Sequence, residues 1–195
     1  MGQTKMMQAL KSLFAQPQLR RFVVALRVPL TIAAIVLLAP LLKREWLLAG
    51  FLVSMLGELI QLWCFASLDK NSALAARGPY AVVRNPMYLG RFFIIGGFLL
   101  LLGQPWLLLP YAIGYWLYMD SRVGREEARL RRIFGESYER YCAQVRRFVP
   151  GAPPPGQPVA VWSWKLFRQN HGPLNLALTL VVWAAVAVWL HMRPL

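Results

Sequence analysis

The stretch that decides the fold is FFIIGGFLLLLGQPWLLLPYAIGYWLYM, residues 92–119, in which two apolar runs flank a Gly-Gln-Pro turn. The runs Phe92–Leu102 and Trp106–Met119 are each short for a membrane span, which needs about 20 mostly apolar residues. Because so tight a turn joins them, they predict a helical hairpin within the bilayer. The hairpin therefore predicts an all-α membrane protein.

Three longer apolar runs lie on either side of the hairpin. Phe22–Leu42 and Trp46–Ala66 precede it, and Pro173–Leu190 follows it. Each of the three is about long enough to cross a bilayer. With the hairpin as spans 3 and 4, they predict about five transmembrane helices in a single membrane domain, residues 1–195.

The charge distribution predicts how this bundle is oriented. The chain has 195 residues, of which 57% are hydrophobic, and a net charge of +14. If the N-terminus is cytoplasmic, only Lys43, Arg44 and Arg193 of the 22 basic residues lie outside, as the positive-inside rule requires. The basic stretch 122–168 is then cytoplasmic and the C-terminus lies on the opposite side. This topology explains the charge, so we expect a lipid bilayer as partner and no nucleic acid.

Several kinds of site are not indicated by the sequence. It has no Gly-rich dinucleotide or phosphate loop and no nucleophile elbow. His171 and His191 have no partners at metal-ligand spacing, and Cys64 and Cys142 form no paired motif. We therefore expect no metal site and no disulfide.

The chemistry is concentrated in two polar blocks, one at each end of the hairpin. They are RGPYAVVRNPMYLG, residues 77–90, and SRVGREEARLRRIFGESYERY, residues 121–141. The hairpin brings the two blocks together at the cytoplasmic face. The Gly-Pro and Asn-Pro dipeptides hold the backbone in fixed bends. The blocks thus predict a pocket lined by aromatic and charged side chains and closed by cytoplasmic helices.

The two blocks resemble the isoprenylcysteine carboxyl methyltransferase family. These are integral membrane enzymes that use S-adenosylmethionine, and they are related to phospholipid methyltransferases. The likeness rests on G-P-Y…R-N-P-x-Y-L-G, an E-E pair and F-G-x-x-Y-x-x-Y, with Gly57-Glu58 and Trp63 upstream. It implies a methyltransferase core over 57–150. The proline content predicts a Pro-rich linker at 150–160, and the run at 173–190 lies outside the likeness as an additional C-terminal transmembrane helix.

The resemblance also implies the roles of individual residues. It gives Arg122 the catalytic role of holding the acceptor, and it gives cofactor binding to Leu74, Ala75, Tyr80, Asn85, Pro86, Met87, Tyr88 and Glu126. The chemistry of S-adenosylmethionine adds Glu127, because a carboxylate suits the ammonium group or the ribose hydroxyls. Many family members have His where this chain has Asn85. An amide can hydrogen-bond the cofactor but cannot titrate.

The acceptor side leaves alternatives open. Arg122 suits an ionised carboxylate, which needs no base, whereas an ammonium acceptor must first lose a proton. The plain alternative for Arg122 and Glu126 is a helix pair worth about 0.2–0.5 kcal/mol. Glu58 lies inside a predicted span, where carboxylates are functional by default. We expect it to bind substrate or to be a structural partner of Gln61 or Arg27.

The sequence therefore predicts a membrane enzyme that methylates a lipophilic acceptor, most simply an isoprenylcysteine-type carboxylate, with S-adenosylhomocysteine as the product. A phospholipid or other amine N-methyltransferase is the alternative that uses the same cofactor block. A non-catalytic lipid-binding module is a third possibility, left open by Asn85. Sterol reduction is disfavoured, because the chain is short and has no nicotinamide motif.

Overall fold

The computed structural model describes residues 36–69 and 74–193, together with Leu26, Pro29, Ala33 and Ala34. Two compact units are distinguished, residues 1–42 and residues 43–195. Of the first unit the structure gives a 3₁₀ turn at Ala39–Leu41. About half of the predicted span Phe22–Leu42 lies outside the described residues. The fold and the candidate site below belong to the second unit.

All the regular elements in the described residues of the second unit are helices, and none is a strand, so the predicted all-α class is confirmed. Short 3₁₀ turns at Arg44–Trp46 and Pro105–Leu107 precede two of the longer helices. The α-helices are α1 (Leu47–Ser67), α2 (Pro79–Val82), α3 (Pro86–Leu100), α4 (Leu108–Phe134), α5 (Glu136–Gln144), α6 (Trp164–Gln169) and α7 (Gly172–Met192).

Two helical segments of the described chain are long and apolar enough to cross a membrane. They are Arg44–Ser67, which includes α1, and Gly172–Met192, which is α7. They correspond to the predicted runs Trp46–Ala66 and Pro173–Leu190. α3 is apolar but has only 15 residues.

α1 and α3 approach closely because small residues face each other along both helices. A Cβ atom added to Gly97 of α3 would collide with the Ser54 side chain and the Gly50 carbonyl oxygen of α1. One added to Gly57 would collide with the Gly90 carbonyl oxygen. Such small-residue contacts are typical of helices that pack within membranes. The Ser54 hydroxyl also donates to a carbonyl oxygen of α3 at 2.9 Å.

α7 packs against α1 and α3 on one side and is otherwise exposed. Its Trp183 ring stacks on Phe98 of α3, with centroids 4.6 Å apart, and meets the edge of Phe51 of α1. Exposed side chains elsewhere on α7 include Leu178, Val181 and others of the same apolar kind. Apolar residues facing outward suit a helix surrounded by lipid.

α3 and α4 are joined by the predicted Gly-Gln-Pro turn and contact each other through aromatic side chains. Phe92 stacks on Tyr111, with ring centroids 5.1 Å apart, and the Tyr111 hydroxyl donates to the Phe92 carbonyl oxygen at 2.9 Å. Near the start of α3, the Tyr115 hydroxyl donates to the Tyr88 carbonyl oxygen at 2.7 Å. α4 continues beyond this contact to Phe134, so it carries the second polar block back to the first.

Candidate active site

The first wall of the site is the bent segment between Gly78 and Pro86. Gly78 has a positive φ of 62°, and a Cβ atom there would lie 2.6 Å from the Ser67 hydroxyl oxygen, so glycine is required. Prolines then begin both α2 and α3, a position that suits their fixed φ. The predicted Gly-Pro and Asn-Pro bends therefore shape this wall.

Tyr80 is fixed within this wall from two directions. Its hydroxyl contacts the Cys64 thiol of α1, and its carbonyl oxygen accepts a hydrogen bond of 2.8 Å from the Tyr141 hydroxyl of α5. Burial, followed by the neighbouring Cys64, raises the pKa of Tyr80 well above its ordinary value. Tyr80 therefore stays neutral and contributes a rigid aromatic surface.

Tyr88 is the centre of the site, because it joins the two polar blocks. Its side chain is buried, and its hydroxyl donates to Glu126 Oε2 at 3.2 Å. Arg122 interacts with the Tyr88 side chain, which raises the pKa of Arg122. The predicted pair on α4 is thus bridged by a tyrosine of α3. Arg91 adds a second cation, with its guanidinium carbon 5.6 Å from the Tyr88 ring centroid.

Glu127 is buried beside this centre and is surrounded by charged partners. Arg84 Nη1 lies 3.7 Å from its Oε1, and Arg147 Nε lies 3.1 Å from its Oε2. Arg147 Nη1 also pairs with Asp120 Oδ1 at 2.6 Å. Arg147 Nε is close to Glu127 but is not aligned for a hydrogen bond, and within the described residues Glu127 Oε1 has no hydrogen-bond donor.

These ion pairs include residues that the sequence reasoning did not select, namely Arg84, Asp120 and Arg147. Arg84 stands inside the first motif, so its position next to Asn85 was the available signal. Arg147 follows the second motif and pairs with Asp120 of α4, which lies 27 residues earlier in the chain. A buried Glu127 requires a cation nearby, but the sequence offers many arginines and does not indicate which one.

The segment after α5 completes the site by lying along the bent wall. The Asn85 side-chain amide donates to the Arg147 carbonyl oxygen at 3.1 Å, and the Arg84 amide donates to the Arg146 carbonyl oxygen at 2.9 Å. The Gly151 amide donates to the Val82 carbonyl oxygen at 3.0 Å. Asn85, which replaces the common His, thus holds this segment through its NH₂ group.

The other predicted cofactor residues lie in or next to the same wall. Pro86 is buried and Met87 half-buried at the start of α3, and Leu74 and Ala75 are half-buried upstream. Leu74 packs on the cluster of Tyr138, Tyr141 and Val145. Burial is the main cause that raises the pKa of both tyrosines in that cluster.

Glu58 is joined to a different part of the molecule. Asn175 Nδ2 donates to its Oε1 at 2.7 Å, and the Thr179 hydroxyl donates to its Oε2 at 3.0 Å. Both partners are on α7, and among the described residues none of its hydrogen bonds goes to Tyr88. The sequence reasoning expected substrate or the partners Gln61 and Arg27, and it missed Asn175 and Thr179, which are more than 100 residues away.

The Pro-rich linker is also tied to the site. The Gly78 amide donates to the Pro158 carbonyl oxygen at 2.8 Å, and the Ser67 hydroxyl donates to the Val161 carbonyl oxygen at 3.0 Å. Residues 150–160 contain no helix or strand, yet these bonds fix the linker at the positive-φ glycine. The linker therefore supports the bent wall and does more than space two helices.

The region that matches a known family model contains most of both polar blocks. The family model for phospholipid methyltransferases matches residues 46–137, which contain both polar blocks except the last residues of the second. No solved structure matches the chain.

Curated relatives carry a single kind of name. A protein-S-isoprenylcysteine O-methyltransferase of Schizosaccharomyces pombe is 36% identical over 44% of this chain and 36% of its own length. Protein-S-isoprenylcysteine O-methyltransferase B of Arabidopsis thaliana is 26% identical over 57% of this chain and 64% of its own. The human protein-S-isoprenylcysteine O-methyltransferase is 29% identical over 57% and 44%. The chain thus spans about a third to two thirds of the length of these relatives. In the region that contains both motifs, the chain is similar to the phospholipid methyltransferase family model and to these isoprenylcysteine O-methyltransferases.

Proposed function

We propose that this protein is an integral membrane methyltransferase that moves a methyl group from S-adenosylmethionine to a lipid-like carboxylate of the isoprenylcysteine type. The observation that carries the proposal is the Tyr88 side chain, whose hydroxyl donates to Glu126 Oε2 at 3.2 Å and which also interacts with Arg122. A carboxylate suited to the cofactor and a cation suited to an anionic acceptor thus share one buried anchor.

The residues of the wall fit S-adenosylmethionine by their chemistry. Glu127 Oε1 is a buried acceptor without a donor among the described residues, and Glu126 is exposed. Carboxylates are the partners that an ammonium and ribose hydroxyls require, and aromatic faces attract a sulfonium cation. We assign cofactor binding to Leu74, Ala75, Tyr80, Asn85, Pro86, Met87, Tyr88, Glu126 and Glu127. When bound, S-adenosylmethionine supplies an activated methyl group and becomes S-adenosylhomocysteine.

The proposed reaction needs alignment and not proton transfer. With S-adenosylmethionine held by these residues, the acceptor carboxylate would take the methyl group, leaving an ester and a neutral thioether, so no proton would be transferred. Arg122 holds the acceptor carboxylate, and Tyr88 limits the positions that Arg122 can take. The buried Tyr80 and Tyr88 keep water from the reacting groups. Alignment and exclusion of water supply most of the acceleration in such a site.

The proposal includes the membrane topology. α3 and α4 form a membrane hairpin, giving about five spans, with the N-terminus and the active site cytoplasmic and the C-terminus opposite. The charge distribution of the sequence supports this arrangement. An alkaline phosphatase fused after Leu195 should be active outside the cytoplasm, whereas a fusion within the Pro-rich linker should be inactive. The reverse pattern would show that the orientation is wrong.

Cofactor binding and turnover can be separated by two variants. Titration calorimetry should detect S-adenosylhomocysteine binding to the purified protein; Glu126→Ala should lose it, and Arg122→Ala should keep it but lose turnover. Arg129→Ala, an exposed arginine of the same helix, should change neither. Absence of binding to the unaltered protein at millimolar ligand would favour the non-catalytic lipid-binding module.

The acceptor is tested by its pH dependence. Methylation of a prenylcysteine analogue should have a nearly flat rate between about pH 6 and 9, because a carboxylate is already ionised there. The phospholipid methyltransferase description of the matching family model keeps an amine acceptor as the second candidate. Turnover on a phospholipid amine that rises steeply with pH would favour that candidate.

A further inference from the structure

The short helix α6 is held between the end of α1 and the start of α7. Asn170, directly after α6, donates through Nδ2 to the Phe65 and Leu68 carbonyl oxygens at 2.9 and 2.8 Å, at the end of α1. The Ser163 amide, directly before α6, donates to the Ala66 carbonyl oxygen at 3.0 Å. α7 begins at Gly172. α6 therefore lies at the boundary of the bilayer that α1 and α7 cross.

One face of α6 is packed, which fixes the other face toward the surroundings. Phe167 is buried against Leu62 and Ala66 of α1. On the exposed side a surface cavity of about 690 Å³ is lined by Trp164, Lys165, Arg168 and Gln169. We call these four residues the α6 basic site. Because Phe167 is anchored, the two cations of this site have a fixed backbone although their side chains are exposed.

The charged residues of the α6 basic site are both cations. Lys165 and Arg168 are three residues apart, a spacing that places them side by side on a helix. The sequence contains no Asp or Glu after Glu139. In the part of the chain that the structure describes, neither cation has an ion-pair partner. A negatively charged group is therefore the complement that this site lacks.

Two exposed indoles indicate that the negatively charged group belongs to a lipid. Trp164 is 64% exposed, and its ring lies 5.4 Å from that of Trp162, which is also exposed. Tryptophan is enriched at the depth of the lipid headgroups, where its ring is apolar and its N–H can reach polar atoms. A soluble anion would leave these rings in water.

We propose that the α6 basic site binds the phosphate of an anionic phospholipid in the leaflet next to the candidate active site. The leaflet is identified by the contact between the bent wall of the candidate active site and the end of α1, where the Gly78 backbone approaches Ser67. A zwitterionic lipid has the same phosphate, but its ammonium group is repelled by two cations. The site therefore prefers anionic headgroups, and each cation contributes separately. This inference does not depend on methyltransferase activity.

Retention of lipid by the full chain tests the inference. The detergent-purified protein is mixed with equal amounts of phosphatidylglycerol and phosphatidylcholine, and bound lipid is counted by native mass spectrometry. We expect preferential retention of phosphatidylglycerol, and a loss of about tenfold or more in its affinity for Lys165→Gln/Arg168→Gln. The control Arg129→Gln/Arg132→Gln removes the same charge from two exposed positions of α4 and should retain the lipid.

Three results would overturn the inference. Equal retention of the two lipids removes the charge preference, and equal losses in the two double variants reduce it to overall charge. Competition by soluble glycerol phosphate at the lipid's own concentration would identify a free phosphate site.

A crosslinking experiment guards against misfolding of the double variant. p-Benzoylphenylalanine in place of Gln169, within the site, should crosslink phosphatidylglycerol, whereas the same group in place of the exposed Gln157 should not. Equal crosslinking at both positions contradicts the proposal.

Discussion

Replacing Arg147 with methionine should destabilise the protein by about 2 kcal/mol, because it removes the cation that two carboxylates of α4 share. The guanidinium lies 2.6 Å from Asp120 Oδ1 and 3.1 Å from Glu127 Oε2. Loss of one partner of a fully buried pair costs about 3–5 kcal/mol, whereas exposed pairs contribute about 0.2–1 kcal/mol.

The burial of the three side chains places the expected cost between those limits. Glu127 is 7% exposed, but Arg147 and Asp120 are 29% and 25% exposed, so solvent screens part of the interaction. Arg84 Nη1, at 3.7 Å, still compensates some of the charge of Glu127. Methionine preserves most of the apolar length of the arginine, so the change reports mainly on charge.

Equilibrium unfolding in mixed detergent and dodecyl sulfate micelles, followed by circular dichroism, measures the change in free energy. Arg146→Met is the matched control, because Arg146 is the exposed neighbour, and it should change stability by less than about 0.5 kcal/mol. The pair Arg147→Met and Glu127→Gln should be non-additive by about 1 kcal/mol or more, as expected for residues in contact. Equal losses for Arg147 and Arg146, or strict additivity, would refute the reasoning.

Three further predictions concern packing, the last helix and alkaline pH, each measured by the same unfolding assay. Gly97→Val should lower the free energy of unfolding by about 1–3 kcal/mol, because the added side chain overpacks the contact with α1. Gly114→Ala is the control and should leave that free energy unchanged, because no atom lies within 4 Å of the added Cβ. Equal effects of the two changes would contradict the close approach of α1 and α3. Glu58→Leu should lower the free energy of unfolding by about 1–3 kcal/mol, because it leaves two hydrogen-bond donors of α7 unpaired. Glu58→Gln should lower it less. The opposite order would exclude a stabilising contact between Glu58 and α7. Burial raises the pKa of Tyr138 and Tyr141. Their contribution to the free energy of unfolding is therefore complete below about pH 10 and is lost as the pH rises further. Tyr138→Phe should lessen this loss of stability at alkaline pH, and an unchanged dependence of stability on pH would contradict the prediction.

The all-helical class and the two span-length helices were predictable because both depend on local composition. The run Trp46–Ala66 and the run Pro173–Leu190 differ by one or two residues at each end from α1 and α7. The Gly-Pro and Asn-Pro bends were predictable for the same reason, since the conformation of a turn is set by its own residues.

The partners of the buried carboxylates were not predictable, because they are set by packing between distant segments. Glu58 could have been paired with any polar residue at its depth, and the structure pairs it with Asn175 across 117 residues. Glu127 could have been paired with any of several arginines nearby. A hydrophobic period gives the buried face of a helix but carries no information about which other helix covers it.

Residues after 137 make contacts with the region that contains the two motifs. The family model ends at residue 137, yet Arg147 pairs with Glu127, the Pro158 carbonyl oxygen accepts from Gly78, and Asn175 donates to Glu58. The two motifs contain the residues that we propose for the cofactor and the acceptor, whereas the later residues make contacts with the region that carries them. α7 is therefore a structural support of the site, because it closes on the same helix, α1, that carries Cys64 against Tyr80.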